Sequence, residues 1–240
     1  MAYAMSTKSP SQEPPRTLAH WFDPTRIPAH IWVIAIILLL VPTFTSEFTQ
    51  YQIFGWAFIL GMISLSLMIL AGYGGMVSLV QMTAAAAAGY AIAIFGTSAV
   101  TEISFAWPWP IAVIIAILAS VLVCVISGAL AIRTEGIYTI MITLAIGSAF
   151  FYFTRQNYTV FNGFTGFNGV QTPVLFGVNW KEPTPFYYLT LSVAGLSYWF
   201  TVHLARTPFG LALQGVRDNP RRMAAMGFSV NAHRLAAYAI

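Results

Sequence analysis

Residues Tyr51 to Ala71 form a run of 21 residues without a single charge. Wound as an α-helix at about 1.5 Å per residue, the run rises about 31 Å and matches the roughly 30 Å hydrocarbon core of a bilayer. It therefore reads as one complete membrane crossing. The rest of the chain agrees: 58% of the 240 residues are apolar and 8% are charged, with a mean hydropathy of +0.74, whereas soluble domains carry about a quarter charged residues. The same test places further spans near 28–45, 76–100, 107–132, 137–153 and 186–204. The expected fold is an all-α membrane protein, a polytopic helical bundle of about six spans plus the start of a seventh. The apolar run that begins at Leu235 stops at Ile240, so the bundle is read as C-terminally incomplete.

The 76–100 segment is the least regular. It opens with the polar residues Ser78, Gln81 and Thr83 before an alanine run, Ala84 to Ala88. It either spans as a helix or enters as a broken or re-entrant one, since irregular backbone survives at depth only where protein or water covers it. Residues 1–27, rich in Ser, Pro and Thr, read as a disordered cytoplasmic tail. The basic lead of the first span also raises a cleaved signal peptide, but no small-x-small cleavage site follows Val41.

Charge gives the orientation. With the N-terminus inside, alternation of six spans puts Lys8, Arg16, Arg26, Arg133, Arg206, Arg217, Arg221, Arg222 and Arg234 on the cytoplasmic side and leaves Arg155 and Lys181 outside. Nine against two is the bias of the positive-inside rule, and removing one span would spoil it. Trp107, Trp109, Trp180 and Trp199 fall near span ends, where amphipathic rings anchor. The basic residues show no aromatic interleaving of the kind that reads nucleic acid, so no nucleic-acid partner is expected.

Several chemistries find no residues to carry them. Every Asp, Glu and His lies in a tail, a loop or a span end, which argues against a proton relay through a buried carboxylate. The single cysteine, Cys124, excludes an internal disulfide and a multi-cysteine metal centre, and no metal site is expected. Ser127 and Ser197 lack a nearby base, so no catalytic residues and no enzyme activity are expected. Lys8 and Lys181 are in no glycine-rich phosphate loop, so no cofactor is expected on this chain and any ATP belongs to a partner subunit.

The spans instead carry small and hydroxylated stripes: Ser120, Cys124, Ser127 and Ala131 on one, Thr139, Thr143 and Gly147 on another. Either stripe serves close helix packing or a weakly polar translocation path, and the two uses are compatible. Between the fifth and sixth spans, Asn162, Gly163, Phe164, Thr165, Gly166, Phe167, Asn168 and Gly169 make either a plain surface turn or a ligand-binding one. Ser78, Gln81, Thr139, Thr143, Asn162, Thr165, Gly166 and Asn168 are the candidate path residues. After the sixth span, Leu211 to Val216 is expected to form a short helix. Asp218 and Asn219 cap a second helix with Pro220 at its first position, and Gly227 stops it. The apolar residues Leu211, Leu213, Met223 and Met226 are read as a ridge that docks a protein, against the plainer reading of a basic loop on anionic lipid.

Four stretches together resemble the permease subunits of ABC importers for branched-chain amino acids, the LivM family. TPFGLALQGVRDNPRRMAAMG, from Thr207 to Gly227, is similar to the family's cytoplasmic loop that contacts the ATPase. IRTEGIYTIMITLA from Ile132, NGFTGFNG from Asn162, and Gly75 to Tyr90 resemble three further family segments, with Phe167 where a glycine is usual, Met76 for Gln and Val80 for Gly. The resemblance implies a permease domain over 28–240 with an ATPase-coupling loop at 205–234, whose candidate residues are Gly210, Arg217, Asp218, Asn219, Pro220, Arg221, Arg222, Ala224, Ala225 and Gly227. It implies a second permease subunit, cytoplasmic ATPase subunits and an extracytoplasmic solute-binding protein as partners, in the bacterial inner membrane. A secondary transporter or channel-like carrier is the alternative.

Overall fold

The computed structural model describes residues 29–100, 102–134, 136–171, 174–175 and 178–240. The N-terminal tail lies outside them. Two units are distinguished, the first ending at Thr45. Within it the described element is α1, Ala29–Phe44, an apolar helix of 16 residues with Pro42 in its last turn.

The second unit, Ser46–Ile240, holds the remaining elements. Helix α2, Thr49–Tyr73, is α-helical over Trp56–Met68 and π-helical at both ends. It is followed by α3 (Gln81–Phe95), α4 (Trp109–Ala131), α5 (Ile137–Gln156), the single turn α6 (Tyr158–Phe161), α7 (Pro183–Arg206), α8 (Pro208–Asp218), α9 (Pro220–Ala225) and α10 (Val230–Ala239). A two-residue antiparallel ladder, β1 (Val174–Leu175) with β2 (Val178–Asn179), precedes α7 and leaves the class all-α.

Among the described residues α2, α4 and α5 are long and apolar enough to cross a bilayer on length and composition. Helix α7 has the length, 24 residues, but is interrupted by hydroxyls. Thr184 donates to Gln50 Oε1 of α2 at 3.1 Å, and four others find a partner within the helix. Thr190 donates to Phe186 O at 3.0 Å, Ser192 to Leu189 O at 2.8 Å, Ser197 to Val193 O at 2.8 Å and Thr201 to Ser197 O at 2.8 Å. Polar side chains satisfied in this way are compatible with lipid, which offers no partner of its own. Large apolar residues are exposed along α2, α4 and α5, such as Trp56, Ile114, Leu118 and Leu144, as suits a lipid-facing surface.

The third expected span is a broken one. Only Gln81–Phe95 is helical, and 15 residues rise about 22 Å, short of the bilayer core. The five preceding residues, Met76 to Val80, are not helical, with Met76, Ser78 and Val80 buried and Val77 and Leu79 exposed. The two ends lie at opposite ends of α4: Met76 packs in a cluster with Ala131, while Trp107 N–H donates to Phe95 O at 2.8 Å. The segment thus runs alongside α4 from one end of that helix to the other. Small residues make the close α3–α4 contact possible, with Ala84, Ala87, Ala91, Ala112 and Ala116 all buried.

Candidate functional site

Two features stand out, and both lie at the end of the bundle where α2 and α4 finish and α7 turns into α8. The first is the loop itself. Thr207 caps α8, its hydroxyl accepting the Gly210 N–H at 3.3 Å while donating to Leu204 O at 2.7 Å, and Pro208 fills the first helical position. The corner is tight because Gly210 has no side chain: a Cβ there would meet Leu204 O at 2.3 Å and Ala205 O at 2.7 Å. Asn219 ends α8 and caps α9, its Oδ1 accepting the Arg222 N–H at 3.0 Å, with Pro220 again at the first position. Gly227, at φ +89°, ends α9. Helix α9 thus starts and stops where Asn219, Pro220 and Gly227 indicate, whereas α8 is longer at both ends than the expected Leu211–Val216, because Thr207 and Pro208 start it three residues earlier and Asp218 is its last residue rather than a cap.

The loop's apolar residues divide. Leu213 is 1% exposed and packs with Leu70, Met76, Ala131, Ala237 and Tyr238. Met223 lies against Gly215, where a Cβ would approach its Sδ to 2.8 Å. Leu211 and Met226 are 60% and 64% exposed. The expected four-residue ridge is thus two separate surfaces, because positions 211 and 213 are two apart on a helix and point about 200° away from each other. The exposed face is Leu211 with Arg221, Arg222, Ala224, Ala225, Met226 and Gly227.

The second feature is the break before α3. Its backbone is not left bare: Met76 N–H donates to Leu70 O at 3.0 Å, Leu79 N–H to Thr143 Oγ1 at 3.2 Å and Val80 N–H to Ser78 Oγ at 3.3 Å. Ser78 and Thr143 are fully buried and Thr139 nearly so. The Thr143 hydroxyl in turn donates to Thr139 O at 3.0 Å. Gly147, one turn on, faces Thr83 Oγ1. The threonine stripe of α5 is therefore packed against the break and supplies one of its hydrogen bonds. Beside it, a cavity of about 270 Å³ is lined by Val80, Gln81, Ala84, Ser120, Cys124 and Tyr238 among others. Ser120 and Cys124 of the α4 stripe face this space, while Ser127 and Ala131 are buried in packing.

Ser78, Gln81, Thr139 and Thr143 are thus brought together. Asn162, Thr165, Gly166 and Asn168 are elsewhere, at the far end of α3. There the loop folds on itself, with Asn162 Nδ2 donating to Gly166 O at 2.7 Å and Thr165 Oγ1 to Asn162 O at 3.1 Å. It also pairs with the strand-like residues after α3, through Ala99 N–H to Asn168 O at 3.1 Å and Gln171 N–H to Thr97 O at 2.9 Å. Phe167 meets Tyr90 edge-on at 6.3 Å, and the Arg155 guanidinium lies 4.2 Å from the Phe164 ring centre. Sequence reasoning passed over Gly72, Gly75 and Tyr238. The paired glycines Gly74 and Gly75 were the available signal for a turn between spans.

Replacing Thr143 with valine keeps the shape but removes the acceptor for the part-buried Leu79 N–H. We expect a loss of about 0.5–1.5 kcal/mol, the net worth of one hydrogen bond, read as a lower midpoint of thermal unfolding in detergent; T143S, which restores the oxygen, is expected to recover most of it.

The described residues form an all-α membrane protein with a broken helical segment and a capped helical loop at one end, an architecture that suits a transport permease. The sequence profile of the family described as branched-chain amino acid transport system / permease component matches residues 49–240, and the chain belongs to that family. No curated protein and no solved structure matches it.

Proposed function

We propose that this chain is the membrane subunit of an ATP-driven importer that moves branched-chain or related amino acids across the bacterial inner membrane. The observation that carries the reading is the α8–α9 loop: two short capped helices rooted in the spans by Leu213 and Val216, with a basic face turned outward. Such a loop suits docking of a cytoplasmic ATPase, which would hold the ATP, while a second permease subunit and an extracytoplasmic solute-binding protein complete the complex. Positive-inside bias supports a cytoplasmic N-terminus and a cytoplasmic α8–α9 loop. Transport is then alternating access, with ATP-driven closure of the ATPases biasing the helices between two arrangements.

The path is proposed to run past the break in the third span. The α3 N-terminus lies between the two ends of the crossing and no side chain caps it, so its amides carry the partial positive charge of a helix start beside Ser78 and Gln81. A weakly polar, uncharged lining of this kind suits a zwitterion with an apolar side chain. The outer loop with Asn162, Thr165, Gly166 and Asn168 is proposed as the entrance.

Affinity purification of the tagged chain in mild detergent tests the assembly. The expected result is a stoichiometric cytoplasmic subunit that hydrolyses ATP. Recovery of the chain without any such subunit, under conditions where it remains folded, would leave the carrier alternative.

A further inference from the structure

Helix α8 holds the turn into the broken span from three sides. Arg217, in the last turn of α8, donates through Nη1 to the carbonyl of Gly72 in the last turn of α2. Its Nε donates to Asp218 Oδ1 at 2.8 Å, which fixes the plane of the guanidinium. Its aliphatic stem lies on Gly75, where a Cβ would fall 2.5 Å from Arg217 Cγ. Gly75, at φ +66°, is the residue at which the chain leaves α2 for the non-helical stretch, and the left-handed conformation favours glycine there as well. Beneath the arginine, Leu213 packs with Leu70 before the turn and Met76 after it. The loop thus touches the chain before, at and after the point where the third span begins.

We infer that Arg217 is a positioning residue that transmits movement of the α8–α9 loop to the broken span. A shift of α8 carries the Gly72 carbonyl and the Gly75 turn with it. The non-helical stretch Met76–Val80 follows, and with it the first turn of α3 and the Leu79 hydrogen bond to Thr143. The stretch has no helical hydrogen-bond ladder to resist, so it is the part of the span that yields. The planar guanidinium suits the task, because it engages Gly72 and Asp218 at once in a fixed fork, which an ammonium on a flexible stem does not reproduce. This inference rests on the reading of the loop as the ATPase-docking element.

The test uses proteoliposomes holding the whole complex, with leucine uptake and ATP hydrolysis measured on the same vesicles. For R217A the leucine moved per ATP hydrolysed is expected to fall by roughly 5- to 150-fold, the span of ordinary coupling energies, and R217K, which keeps one donor for Gly72, is expected to recover part of it. An unchanged ratio, or uptake and hydrolysis lost in equal proportion, would overturn the inference. The second readout places a cysteine at Val77, exposed in the non-helical stretch, with Cys124 replaced by alanine. Its maleimide labelling is expected to change when ATP is added with Arg217 present and to lose that response in R217A; a rate indifferent to ATP with Arg217 present also overturns the inference. Failure of the importer reading looks different, since vesicles with the unaltered chain then show no ATP-driven uptake at all.

Discussion

Reversing both arginines of α9, in R221E/R222E, is expected to abolish retention of the ATPase subunit while the chain remains folded in the membrane. Both residues are exposed on a helix whose start is fixed by Asn219 and Pro220, so their replacement disturbs no packing. The cost falls on the interface. Opposed like charges there are worth several kcal/mol, which corresponds to about a hundredfold or more in affinity. Co-purification is the readout, with the thermal unfolding midpoint of the isolated chain as the control. Retention equal to that of the unaltered chain would remove α9 from the docking surface and leave the basic face to anionic lipid.

Gly210→Val is expected to be at least as damaging, by a different route. The atoms a Cβ would meet at 2.3 and 2.7 Å are the backbone carbonyl oxygens of Leu204 and Ala205, which no rotamer change can clear. The last turn of α7 or the first turn of α8 must move instead, and the Thr207 cap is lost with it. Overpacking and loss of the cap together amount to about 2–5 kcal/mol. Because Leu213 and Val216 root α8 among the spans, the displaced helix also exposes that core. Limited proteolysis is expected to cut between α7 and α9 in the variant and not in the unaltered chain. A variant as resistant as the unaltered chain would show that the corner has room to relax.

The parts of the fold that follow from local chemistry were legible in the sequence. The crossing by α2 needs only an uncharged run of sufficient length, and α9 follows from Asn219, Pro220 and Gly227. The break in the third span was half legible. Ser78, Gln81 and Thr83 marked the segment as unusual, but strong helix formers follow immediately, and propensity alone does not locate the first helical residue. Tertiary contacts decide it, namely Thr143 beneath Leu79 and the cluster around Met76. The division of the Leu211–Met226 ridge was missed because adjacency in sequence was taken for adjacency on a surface. Arg217 and Gly72 are 145 residues apart, and nothing local to either announces the other. The candidate path residues met a mixed outcome for the same reason. Those on α3 and α5 converge because the two helices pack, whereas the Asn162 loop is held at the opposite end by its pairing with Thr97 and Ala99.

The central claim is that movement of solute through this bundle is driven by ATP bound to another subunit. The most direct measurement is leucine accumulation in proteoliposomes carrying the complete complex, with ATP supplied on the side of the α8–α9 loop and all ion gradients collapsed by ionophores. Accumulation that requires hydrolysable ATP and survives the ionophores is the predicted result. Accumulation that persists without ATP and vanishes when the ion gradients collapse would contradict it.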